Sequence, residues 1–148
     1  MSAKILLVED SRFLRLASKR ILMEAGFSVA EARDGQEALR QARESQPDLI
    51  LLDILLPMLG GEHVLQALRQ DPATASIPVI VLSSLSQCNA DKLKQAGAAA
   101  YIEKSKLNLT QNSENLVRLV NAALYKIKPQ GASSGFASIG REVSFSRA

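Results

Sequence analysis

Three acidic residues stand where short apolar runs end: Glu9 and Asp10 follow ILLV, and Asp53 follows LILL. Two more polar groups end runs of the same kind, Ser83 after VIVL and Lys104 after AYIE. Carboxylates gathered in one place repel each other, because like charges within about 4–6 Å disfavour joint ionisation, so something positive must sit among them. Hard oxygen ligands without clustered His or Cys point to Mg²⁺ or Mn²⁺ rather than zinc, and Mg²⁺ commonly takes one or two carboxylates and keeps several waters. Lys104 supplies a second positive charge. A metal-held carboxylate beside an ammonium and a hydroxyl is suited to attack phosphorus, since Asp can serve as a covalent phosphoryl acceptor. In such a transfer the protein contributes mainly positioning and electrostatic stabilisation.

The elements that must carry these groups alternate along the chain. Short apolar, β-branched runs at Ile5–Val8, Ser28–Ala32, Leu49–Leu52, Val79–Leu82 and Ala99–Glu103 are separated by helix-period segments near 12–25, 36–45, 61–70, 87–95 and 113–127. Alternation of this kind predicts an α/β fold with a parallel sheet and crossover helices. Leu14, Ala17, Ile21 and Ala25 form one stripe at spacings of three and four, expected to face the sheet, and Gly26 is expected to cap that helix in the left-handed region. DLILLD is apolar up to its final acid, as a central parallel strand covered on both faces must be. Ligands of open α/β sheets bind beyond the carboxyl ends of the strands, where the strand order reverses. Four of the five predicted strands deliver a polar or charged group to that edge.

At these residues the chain resembles the receiver domains of two-component response regulators, over about Lys4 to Lys128. The resemblance rests on VED at 8–10, LLD ending at Asp53, Pro57 and Gly61 behind it, Ser83 thirty residues beyond Asp53, and Tyr101 with Lys104. It implies a doubly wound, flavodoxin-like sheet of five parallel strands in the order 2-1-3-4-5 with helices on both faces. It implies that Asp53 is the phosphoacceptor, that Asp10 binds Mg²⁺ (or Mn²⁺) directly, that Glu9 assists directly or through water, and that the Leu55 carbonyl completes the protein ligands. Lys104 would pair with the phosphoryl group and the Ser84 N–H could donate to it. Ser83 matches the hydroxyl that turns toward the phosphoryl group, and Tyr101 the aromatic that swings inward behind it. A partner histidine kinase or histidine phosphotransfer protein would supply the phosphoryl group. The face formed by the fourth helix, fifth strand and fifth helix would change its affinity for a downstream protein, with homodimerisation as a further use. The chain would catalyse its own phosphoryl transfer and dephosphorylation without being a conventional enzyme.

Plainer roles compete at each position. Glu9 or Asp10 could cap the following helix, Asp53 could be a turn acid, Ser83 a helix cap, Tyr101 a half-buried strand aromatic and Lys104 a solvated strand end. Gly60 and Gly61 would shape the loop after Pro57 through tolerance of positive φ, and His63, the single His, is expected at the surface. Three departures from the family pattern stand out: Ser105 replaces the usual Pro after Lys104, Leu59 and Gly60 replace the usual Met and Asp, and Leu55 is apolar. A non-Pro residue makes a cis bond there cost about 2.5–4 kcal/mol.

With 148 residues, 47% apolar and 22% charged, the composition suits one globular domain and a tail. The expected division is a receiver domain over 1–128 and a Ser/Gly-rich tail or linker over 129–148. A lone Cys88 excludes an internal disulfide and a cysteine zinc site. No apolar run reaches the ~20 residues of a membrane span. The N-terminus is unlike a secretory signal, which points to the cytoplasm. A formal charge of +3 without Lys/Arg clusters among aromatics argues against nucleic acid. Two other classes are carried forward: a pseudo-receiver that binds proteins without taking phosphate, and a flavodoxin-like enzyme, against which VED stands because it would repel a cofactor phosphate.

Overall fold

A computed structural model describes residues 3–54, 60–83, 90–103 and 114–127. Strands and helices alternate as β1 Lys4–Val8, α1 Arg12–Glu24, β2 Ser28–Ala32, α2 Gly35–Ser45, β3 Leu49–Asp53, α3 Gly61–Gln70, β4 Val79–Ser83, α4 Ala90–Gln95, β5 Ala100–Glu103 and α5 Glu114–Ile127. The strands form one parallel sheet in the order β2-β1-β3-β4-β5. This is the predicted fold, with strand ends within a residue of the sequence-based bounds.

Side chains along a strand alternate between faces, so two cores form. Leu6, Val8, Ile50, Leu52, Val79, Val81 and Tyr101 meet Ala38 and Ala42 of α2, Val64, Leu65 and Leu68 of α3 and Leu93 of α4. On the opposite face Ile5, Leu7, Leu49, Leu51, Ile80, Leu82 and Ile102 meet Leu22 of α1 and Leu116, Leu119, Val120 and Ala123 of α5. β3 is buried at every position, as its unbroken apolar run required.

The sheet-facing stripe of α1 differs from the expected one. Its buried residues are Ser18 and Leu22, whereas Leu14, Ala17 and Ile21 are half-buried and Ala25 is exposed. Ser18 is small enough to approach the sheet, so the true seam passes through a polar residue that an apolar pattern skips. Phe13, Leu16 and Met23 of α1 are exposed. Gly26 follows the helix at φ +100°, the left-handed region expected of it. His63 is exposed, as expected.

Candidate functional site

β1 lies between β2 and β3, and Val8 is opposite Leu52. One residue further along, Glu9 comes level with Asp53, so adjacent parallel strands deliver both acids to the same edge. The connections from β1 and β3 leave on opposite faces of the sheet at this point, which opens the crevice where ligands of this fold class bind. Glu9, Asp10 and Asp53 each place a carboxylate oxygen so that all lie within 4.8 Å of one another. Glu9 and Asp53 are each only 3% exposed, while Asp10 faces solvent. Two buried carboxylates and one at the rim, all oxygen donors, suit a hard divalent cation that keeps part of its water shell.

The acids are not the helix cap. Ser11 caps α1, its Oγ accepting from the Leu14 N–H at 3.3 Å, and Glu9 Oε2 accepts from the Ser11 N–H at 3.2 Å. Helical side chains lean back toward the N-terminus, so a residue in the second turn of α1 can reach the end of β1. Arg15 does so, its Nη1 donating to the Glu9 carbonyl at 2.9 Å while its Nε donates to Glu31 Oε1 at 3.2 Å. Lys19 also pairs with Glu31, and chiefly through that hydrogen bond holds the Glu31 carboxyl below its ordinary pKa. Sequence reading missed Arg15 and Glu31. The helical reach of Arg15 toward Glu9 was a usable signal, but its meeting with β2 was not visible in spacing.

Gly61 is required for a different reason from the expected one. Among the described residues the glycines at positive φ are Gly26 and Gly97, and Gly60 is extended at φ −63°. A Cβ on Gly61 would stand 2.5 Å from the Ile54 Cα and 2.8 Å from the Asp53 and Ile54 carbonyl oxygens. The Gly61 N–H donates to the Ile54 carbonyl at 3.0 Å. Close backbone approach therefore lets the start of α3 bond to Ile54, the residue after Asp53.

Ser83 ends β4 opposite Glu103 of β5, on the carboxyl edge of the sheet, and Leu82 is opposite Asp53. Tyr101 is 2% exposed and belongs to the core shared with α3 and α4, more buried than a half-covered strand aromatic. Leu55, Ser84 and Lys104 lie outside the described residues, as do Pro57, Leu59, Cys88, Ser105 and the segment 129–148.

The family model of the response regulator receiver domain matches residues 5–115. The chain belongs to this family. The receiver domain is 39% identical over 118 residues to a gliding motility regulatory protein of Myxococcus xanthus, a match covering 78% of this chain and 15% of that protein. It is 34% identical over 105 residues to the polar-differentiation response regulator DivK of Brucella ovis, covering 70% of this chain and 85% of the relative. Against the solved response regulator domain of Thermotoga maritima CheB it gives a TM-score of 0.73 at 30% identity, covering 84% of this chain and 98% of that one. Membership implies phosphoryl-accepting signalling, the ordinary work of receiver domains, which bind Mg²⁺ in an acidic pocket and interact with histidine kinases and downstream targets. Among the described residues no helix is long and apolar enough to cross a membrane.

Proposed function

We infer that this receiver domain is a phosphorylation switch in which Asp53 accepts the phosphoryl group. The convergence of Glu9, Asp10 and Asp53 within 4.8 Å, with Asp53 buried at the end of the central strand, carries this reading. Glu9, Asp10 and Asp53 would hold Mg²⁺ or Mn²⁺ together with the Leu55 carbonyl. When bound, the cation offsets charge on the phosphoryl oxygens and on the carboxylates.

An Asp53 carboxylate oxygen attacks phosphorus in line as the P–N bond of a partner's phosphohistidine breaks, returning the electron pair to the imidazole. Lys104 and the Ser84 N–H steady the transferred oxygens. Attack of water on phosphorus later releases inorganic phosphate and regenerates the carboxylate. Ser83 and Tyr101 bias two conformations, and the α4–β5–α5 face changes its affinity for a downstream protein or a second copy. Exposed Phe13, Leu16 and Met23 on α1, the helix that begins beside Asp10, offer the phosphodonor protein an apolar surface. Residues 1–128 form the receiver unit, 129–148 a tail or linker, and the protein works in the cytoplasm.

Asp53→Asn removes the nucleophile at almost constant shape, so labelling by acetyl phosphate with Mg²⁺ should fall to background while circular dichroism is unchanged. Undiminished labelling removes Asp53 from the role. A wild-type chain that binds partners yet never labels would instead be the pseudo-receiver.

A further inference from the structure

We propose that Arg15 is a positioning residue for the cation site, holding the peptide that joins Glu9 to Asp10. This rests on the reading that Glu9, Asp10 and Asp53 take a divalent cation. Both backbone groups of Glu9 are engaged: its N–H donates to the Ala32 carbonyl at 3.1 Å, and its carbonyl accepts from Arg15 Nη1 at 2.9 Å. That carbonyl belongs to the Glu9–Asp10 peptide, so its direction sets where the chain places Asp10, the solvent-facing acid of the cluster. The Arg15 side chain is 11% exposed, and Glu31, itself paired with Lys19, holds the other edge of the guanidinium. The planar fork of Arg suits two acceptors in two directions, whereas the flexible point charge of Lys does not. An ordinary surface ion pair would need Glu31 alone, and the second bond, to the backbone of the acidic pair, is what sets Arg15 apart.

Two effects of losing Arg15 oppose each other, and their signs separate the roles. Removing a positive charge near the acids makes them attract a cation more strongly. Losing the hold on the Glu9–Asp10 peptide weakens binding, and loss of groups that orient metal ligands commonly costs about 10–100-fold in affinity. Glu31 already offsets much of the guanidinium charge, so the positioning effect should dominate.

The test is Mn²⁺ titration of the full chain, followed by electron paramagnetic resonance, for wild type, Arg15→Lys, Arg15→Met and Glu31→Gln. Arg15→Met and Arg15→Lys should each lose about tenfold in affinity, and Glu31→Gln less. Acetyl phosphate labelling in both Arg15 variants should return to the wild-type rate at saturating Mg²⁺, a split that general destabilisation does not produce. Arg15→Lys keeps the charge facing Glu31 and should melt near wild type without metal, so it serves if Arg15→Met does not fold. Unchanged or tighter Mn²⁺ binding in the two Arg15 variants reduces Arg15 to an ion-pair partner and leaves the cation reading standing. Absence of Mn²⁺ binding in the wild type overturns the cation reading itself, and this role with it.

Discussion

Around the helix ends, at the start of the sheet and on β2, several acidic side chains are each met by a donor. Asp34 accepts from the Glu37 N–H at 2.9 Å, Asp48 from the Lys4 N–H at 2.8 Å, Asp71 from the Ala73 N–H and Arg43, and Glu31 from Lys19 and Arg15. At the carboxyl ends of β1 and β3, three acids are also crowded against one another, with Glu9 accepting from the Ser11 N–H. The first arrangement holds the Glu31 and Asp71 carboxyls below their ordinary pKa and favours the charged form. The second builds up negative charge that a cation can relieve. On the function proposed above, the contrast separates acids that serve the fold from acids that serve a ligand.

The sharpest way to break this contrast is to ask which acids respond to Mg²⁺. At a cation concentration of 100 times Kd, binding to the native state alone adds about 2.7 kcal/mol of stability. Asp10→Ala should lose most of that gain in thermal melts, whereas Asp71→Asn should keep it. Equal Mg²⁺ responses in the two variants would dissolve the distinction.

A test of packing comes next. Gly61→Ala forces a methyl against the backbone of Asp53 and Ile54, and overpacking of this kind typically costs about 1–3 kcal/mol. Denaturant unfolding should show that loss, accompanied by slower labelling because the backbone of Asp53 and Ile54 is pushed aside. A neutral Gly61→Ala would mean the helix start yields freely.

Asp53→Asn should have the opposite sign when no metal is present. Asp53 faces two other carboxylates, and Asn removes both repulsions, each worth about 1 kcal/mol even at the water-screened value for unit charges ~4 Å apart. The metal-free variant should melt a few degrees above wild type, and added Mg²⁺ should narrow or reverse the gap. A lower metal-free melting temperature would show that the cluster is not strained by charge.

The smallest effect belongs to Glu31. Its pKa is lowered in the fold, so its contribution is complete above the unfolded value near 4.5 and is lost as pH falls through the lowered folded value. The pair with Lys19 is partly solvent-screened, which limits the loss to less than about 1 kcal/mol. Glu31→Gln should flatten the stability profile in that acidic range, as read by urea midpoints at several pH values.

Much of this was legible in the chain because strand signals are local. Runs such as ILLV and LILL end at an acid, and in a parallel sheet strand ends share one edge, so the meeting of Glu9, Asp10 and Asp53 followed from the fold class. The strand order came through resemblance, and the sheet bears it out. Contacts between elements were harder to foresee. Nothing in spacing says that Arg15 of α1 and Glu31 of β2 meet, since their pairing depends on how a helix crosses its neighbour. The seam of α1 was misplaced because Ser18 sits in it, and Gly61 was explained by φ when crowding against Ile54 was the cause.

Asp53 is the last residue of a strand flanked by two others and sandwiched between two hydrophobic layers. Amides in such a strand open to solvent only when the whole domain unfolds, whereas loops open at far lower free energy. On the proposed function, a group added at Asp53 presses on an anvil. Deuterium uptake at Leu51 and Leu52 should therefore be the same before and after modification. Any response must then be carried by residues away from this strand.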